Sequence, residues 1–464
     1  MSRNIGISLD DDFTELCIGT EGQERTLPTM LCKKKNSDTW LIGEAAYKAT
    51  LDGSGVLVDK LLSLLRKNGT ATIEHTCYSG EELMERFLRT ILSEDWKAAE
   101  ESAEPATEKP AEPSAEKRSF LTILPAGSSL SEEEAETAEA PNSESGQEPA
   151  GEEGGNEAVV LSIRRAEQEL FRKLGTILER ICGKAVHAVV VSHTEAYVHY
   201  ILHQDKNLYS RLVGMFELSN QCLYYYEMQV SRGSRRYAMA GSEAQEEAFS
   251  LDILKTPSGI RIADRILSAL ADRNLHKKSF SSIFLSGRGF ETTDFAPDFM
   301  RRLCRGRRVC IEPRIFAIGA LCYARLLSQG EKEEYTILCD TRASCDVSVR
   351  VVQKEREQRL PIIHAGDCWA NRSMECEMIL DRQNYVDFQL SPLLGGQRPA
   401  QLRMLLTGFP ERENRTTRIS LNADFLDAGR LRVTVKDLGF GELFPASSAV
   451  VSEEIDLRRT MGDG

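Results

Sequence analysis

The chain has 464 residues, 41% of them hydrophobic, and a formal net charge of −13. That length supports two or three domains with cores of their own, and the lack of any run of eighteen apolar residues excludes an ordinary membrane-spanning helix. The acidity is local: Glu94 to Glu157 hold 18 acidic and 4 basic residues, so the rest of the chain is close to neutral and its charge excludes no class of partner.

The opening "MSRNIGISLDDD" turns acidic at once and has no signal-peptide core, which points to a cytoplasmic chain. The twelve cysteines stand singly without a CxxC pair, the pattern of buried reduced thiols. In chain order, "IGISL" and "ELCIG" alternate as paired strands around a turn of three aspartates, Asp10, Asp11 and Asp12. "TWLIGEAAYKAT" passes from strand to helix, and "GEELMERFLRTIL" carries the helical period. Residues 95–157 are rich in Glu, Ala, Pro, Ser and Gly, a composition that cannot bury enough surface to order itself. "SFLTILPAG", Ser119 to Gly127, interrupts it and reads as a strand ending in a turn signal, leaving two acidic loops at about 95–117 and 128–157.

"VVLSIRRAEQELFRKLGTILERICG", Val159 to Gly183, reads as one helix with a glycine stop. A buried strand "AVHAVVVSH", the helix "TEAYVHYILHQ", the strand pair "RLVGMFELSNQCLYYYEMQVS", the helix "SGIRIADRILSALADRNL", the strand "SSIFLSGRGF" and the helix "AIGALCYARLL" follow. Strands and helices thus alternate to about residue 330, the mark of α/β layers. From Tyr335 to Leu457 only short alternating runs remain, between Gly, Pro and Asn turns, as in a β-sandwich.

In this order the segments resemble the DnaK-type chaperones of the seventy-kilodalton heat-shock class, with their actin-like, ribonuclease-H-like two-lobed ATPase fold, and within them a divergent bacterial Hsp-like group. "IGISLDDDFTELCIG" resembles the first phosphate hairpin, "WLIGEAAYKA" the V-G-x-x-A-K helix start, and "SFLTILPA" the V-I-T-V-P-A strand. "SHTEAYVHYILHQDK" is similar to the segment carrying the catalytic glutamate, and "GMFELSNQCLYYYEM" to the second phosphate hairpin. "IFLSGRGF" resembles the adenosine turn, and "RISLNADFLDAGRLRVTVKD" the client-binding sandwich. The resemblance implies a nucleotide-binding-like domain over 1–330 and a substrate-binding sandwich over 335–457, without the helical lid.

The same alignment implies a degenerate nucleotide site. Ser8 stands for the aspartate that organises magnesium, and Asp10, Asp11 and Asp12 stand for Gly-Thr-Thr. Carboxylates about 4 Å from a phosphate charge repel it by about 4 kcal/mol at a protein-surface dielectric, so this turn is expected to be solvated and closed to triphosphates. The catalytic lysine falls on Tyr47, with Lys48 one place late. Glu217 replaces an aspartate, and Ser219, Asn220 and Gln221 replace three glycines whose backbone freedom phosphate approach needs. Glu195 matches the catalytic glutamate but suits a helix N-terminus equally. Gly287 and Gly289 keep the adenosine turn.

The expectation is therefore a pseudo-ATPase: ATP or ADP with magnesium disfavoured, no metal site, and function placed on the sandwich as an extended-peptide or protein binder. No nucleic-acid or membrane partner is expected, since the basic run "RRLCRGRRV" has no aromatic interleaving. A slow, unusual ATPase and an actin-like scaffold are the alternatives.

Overall fold

The computed structural model describes residues 4–19, 23–93, 157–220, 222–233, 235–246, 249–353, 356–370, 373–393 and 399–457. The strand Asn4–Leu9 is buried on both faces, which requires a neighbour layer on each side. It pairs antiparallel with Phe13–Ile18, which pairs with Gln23–Pro28. On its other edge it runs parallel to Ala158–Ile163, which is parallel in turn to His187–Ser192.

This arrangement corrects the single helix expected over Val159–Gly183. Its first part, "AVVLSI", is a central strand buried on both faces, and the helix proper is Gln168–Cys182. A continuous β-branched run serves a doubly covered strand, and the amphipathic period begins only after it. The same strand lies between Asn4–Leu9 and His187–Ser192 in the sheet. The segment "SFLTILPAG" and most of both acidic loops lie outside the described residues.

The second sheet repeats the connectivity of the first. Leu212–Leu218, Leu223–Arg232 and Arg236–Glu246 form an antiparallel meander, and Phe280–Ser286 and Arg308–Ile311 add parallel to its first strand. Thr336–Leu338, expected in the β-rich region, instead pairs parallel with Arg236–Glu246 and closes this sheet. Between the sheets pack the helices His193–Leu202 and Ile315–Ser328, which share an apolar cluster with both. A Cβ on Gly319 would stand 1.9 Å from the Ala196 carbonyl oxygen, so glycine is what lets these helices touch. The helix Gly80–Leu92 starts on a capping box between Ser79 and Glu82 and buries Leu83, Met84, Phe87, Leu88 and Ile91.

Beyond Leu338 the chain forms two antiparallel four-stranded sheets. One runs Arg356–Ile363, Cys345–Gln353, Tyr385–Pro392, Ala400–Leu405; the other runs Ser373–Ile379, Arg418–Asp427, Arg430–Gly439, Val450–Asp456. They enclose one core that includes Trp369, Phe388 and Phe425. Among the described residues the cysteines form no disulfide; Cys17, Cys32, Cys322 and Cys345 are buried, whereas Cys77 and Cys304 are exposed, unlike the buried thiols expected. Among the described residues no helix is long and apolar enough to cross a membrane.

Candidate functional site

The parallel strands of both α/β sheets end at a shared crevice, the usual place for a ligand in open α/β sheets. It holds a cavity of about 470 Å³ lined by Ser8, Asp10, Asp11, Asp12, Glu217, Ser219, Asn220 and Gly287, among others. The structure thus gathers most of the residues that the phosphate-hairpin resemblance singled out.

The acidic turn is not the solvated loop expected from its charge. Asp11 accepts from the backbone N–H of Ser63 at 2.9 Å and from the Ser63 hydroxyl. It thereby caps the short helix Leu61–Arg66, whose own N-cap, Lys60, is left-handed and supplies no side-chain cap. Asp12 is paired with Lys60 and accepts from Asn220 Nδ2 at 3.4 Å. Asp10 lies 3.4 Å from Arg164 Nη2 and accepts from the Asp11 N–H. All three carboxylates are half-buried with partners, because a turn that packs against another segment must pair its charges.

Across the crevice floor, Arg164 holds Glu217 in a fork: Nη1 to Oε2 at 2.7 Å and Nη2 to Oε1 at 2.6 Å. The Tyr226 hydroxyl donates to the same carboxylate at 2.9 Å, and the guanidinium sits 4.4 Å from the Tyr224 ring centroid. Burial opposes the charge on Arg164, but Glu217 holds its proton affinity well above the usual arginine range. Nearby, partial burial and then the neighbouring Glu217 push the Glu15 carboxyl up to about 8, against the pull of Arg314 and Arg288. His193 stacks on Phe316 with centroids 4.1 Å apart, and its Nε2 is 3.3 Å from the Ser8 hydroxyl. Burial and the Arg164 charge hold its pKa well below the usual histidine value.

Other sequence-selected residues sit differently. Tyr47 is 48% exposed and Lys48 is exposed on the helix Gly43–Leu51, and neither lines the crevice. Ser219 turns back on its own loop, donating to the Cys222 carbonyl at 2.9 Å. Gln221 lies outside the described residues. Gly287, at φ +84°, and Gly289 make room for Leu218: a Cβ on either would stand 2.6 Å or less from it. Arg288 between them lies 3.7 Å from the Phe13 ring centroid.

Glu195 is the largest departure. It is buried, yet it does not line the crevice; it faces the segment that leads to the C-terminal sheets, accepting from Thr341 and, at 2.8 and 2.5 Å, from Arg342. The sequence reading missed Arg164, Lys60, Ser63 and Arg342. Only Arg164 carried a local signal, as a charge directly after a strand that had been read as helix.

These residues do not fit ATP with magnesium. The carboxylates that could face a metal are engaged by Arg164, Lys60 and Ser63, and the backbone N–H groups of Asp10, Ser219 and Gly287 already donate to the carbonyls of Phe13, Cys222 and Pro313. Among the described residues no group of three or more His, Cys, Asp and Glu is placed to hold a metal ion. His199 stacks on Tyr323 at 4.1 Å between centroids.

An α/β body of two like-connected sheets with a charge-paired crevice, followed by two antiparallel sheets, is the class defined so far. Residues 12–104 and 147–340 match the model described as "Family of unknown function (DUF5716) C-terminal", and the chain belongs to that family. Residues 342–457 match a "Domain of unknown function (DUF8552)". No curated protein matches. Among solved structures, a non-polymerising MamK mutant bound to AMPPNP is similar at 10% identity over 71% of this chain and 99% of that one. Its TM-score is 0.34, a likeness too slight to carry an argument.

Proposed function

We propose that this chain is a nucleotide-independent scaffold or adaptor: an actin-like body whose crevice is bridged by its own side chains, carrying a β-sandwich that binds a protein partner. The repeated sheet connectivity supports the actin-like reading of the body. The observation that carries the rest is the Arg164–Glu217 fork. It joins the end of a first-sheet strand to the end of a second-sheet strand across the place where a phosphate chain would otherwise join them. A body held this way needs no ligand to fix the relation of its halves. Partner binding is assigned to the C-terminal sheets, whose edge strands Arg356–Ile363, Ala400–Leu405, Ser373–Ile379 and Val450–Asp456 each pair, among the described residues, on one side only.

Thermal unfolding with ATP or ADP, with and without magnesium, tests the reading. Nucleotide at a hundred times its dissociation constant would stabilise the chain by about 2.7 kcal/mol. The expected result is no shift, and a magnesium-dependent shift of that size would favour the rival reading of an unusual ATP-binding protein. Light scattering over a concentration series then separates a body that assembles with itself from a monomeric adaptor.

A further inference from the structure

The connection between the α/β body and the C-terminal sheets is built as a buried lock. Arg342 has a side chain only 10% exposed, and its partners lie on both parts. On the body it reaches Glu195 of the helix His193–Leu202 at 2.8 and 2.5 Å, the Tyr323 hydroxyl of the helix Ile315–Ser328 at 3.3 Å, and Glu333 at 3.1 Å. On the other part it donates to the Gly366 carbonyl at 3.0 Å. The adjoining residues repeat the pattern. Asp340 accepts from Ser192 at 2.5 Å, its carbonyl accepts from the Trp369 indole at 2.9 Å, and Trp369 packs against Phe171 with centroids 5.5 Å apart. A second, separate contact joins Gln168 to the Phe425 carbonyl at 2.8 Å.

A swinging linker has exposed, self-sufficient backbone and few buried contacts. This one is the reverse. Glu195 is 1% exposed, so undocking would strip a buried carboxylate of its counter-charge or force water to it. We propose that Arg342 is a latch that keeps the C-terminal sheets on the α/β body in one arrangement, so that the two parts move and unfold as one unit. Glu195 is its strike plate: the position that the resemblance marked as catalytic serves here to position a neighbouring module. The proposal stands whether or not the crevice takes nucleotide.

The test uses the full chain and three variants. Arg342→Met keeps the apolar stem and removes the charge, Arg342→Lys keeps the charge without the fork, and Arg403→Met breaks the exposed Arg403–Asp387 pair as a control. Wild type and the control are expected to unfold in one calorimetric transition and to resist protease between residues 329 and 341. Arg342→Met is expected to show two transitions, a larger radius of gyration by X-ray scattering, and cleavage in that stretch at least about tenfold faster. Arg342→Lys should fall between. An unchanged scattering profile and cleavage rate in Arg342→Met would overturn the latch. Should that variant fail to fold, native-state hydrogen exchange on wild type decides. Amides of residues 341–343 exchanging only with global unfolding support the latch, and exchange through an earlier, separate opening sinks it.

Discussion

Arg164, the residue after the strand Ala158–Ile163, grips Glu217 near the end of the strand Leu212–Leu218 through both terminal nitrogens. Glu217 is 3% exposed, so the pair is a desolvated bridge between two sheets whose strands are far apart in sequence. Breaking such a pair by removing one partner leaves an uncompensated buried charge and costs about 3–5 kcal/mol. Arg164→Met is expected to lower the unfolding free energy by about that amount in urea titrations. Arg164→Met with Glu217→Leu should recover most of it, since no deeply buried carboxylate is then stranded, while the Tyr226 hydroxyl loses its acceptor and the half-exposed Asp10 its long contact. A single-variant cost below about 1 kcal/mol would place the bridge among surface pairs.

The three aspartates separate by role. Asp11→Ala removes the acceptor for the Ser63 N–H and so uncaps the helix Leu61–Arg66, at a cost of about 1 kcal/mol. Hydrogen exchange should quicken at Ser63. Asp10→Ala loses a long contact to Arg164 and a local bond from the Asp11 N–H, and should cost less than Asp11→Ala. Equal effects at the two positions would mean that the turn acts through its total charge.

Two carboxyls set the expected pH dependence. Glu15 is raised to about 8 by burial and by Glu217, and Asp340 to about 6 by burial, opposed by its bond from Ser192 and added to by Glu195. A carboxyl whose folded pKa exceeds its unfolded one binds its proton more tightly when folded. Its contribution is therefore complete below the unfolded pKa and is lost as pH rises through the folded value. Stability should thus fall between pH 5 and 8 through these groups. Asp437 works oppositely: bonds from Arg412 and Ser447 outweigh its burial and hold it far below the usual range, so its contribution is lost only in strong acid. Urea midpoints from pH 5 to 9 should show a decline that is smaller in Glu15→Gln. An identical slope in that variant would remove Glu15 from the account.

Much of the architecture was legible because it is written in local signals. The helical period of "GEELMERFLRTIL", the paired strands around Asp10–Asp12 and the alternation after Tyr335 are patterns of neighbours, which a sequence displays directly. The failures share a cause: each depended on a partner distant in sequence. The strand Ala158–Ile163 passed for helix because its β-branched run flows into a true helix without a turn residue, and only its neighbours in the sheet fix it as strand. Asp11 was judged by its charge, whereas Ser63, 52 residues on, decides what that charge does. Glu195 was placed by alignment to a catalytic glutamate, but Arg342, 147 residues away, claims it.

Two helical glycines carry opposite expectations, although the sequence presents them alike. Gly175 lies within the helix Gln168–Cys182 with nothing inside 4 Å of a built Cβ, so Gly175→Ala adds a side chain into open space and lowers the entropy of the unfolded chain. It should stabilise by about 0.5–1 kcal/mol. Gly319 lies within Ile315–Ser328, where the same methyl would meet the Ala196 carbonyl oxygen at 1.9 Å and Tyr200 Cβ at 3.2 Å. Backbone cannot give way as a flexible side chain can, so the two helices must part and loosen the cluster they share with both sheets. Gly319→Ala should cost at least about 2 kcal/mol. Because Glu195 precedes Ala196 directly, a shifted helix His193–Leu202 should also disturb the Arg342 contacts, and protection at residues 341–343 should fall with stability. Urea unfolding and hydrogen exchange on both variants check the signs; a neutral Gly319→Ala would mean that the helices are held apart by something other than this contact.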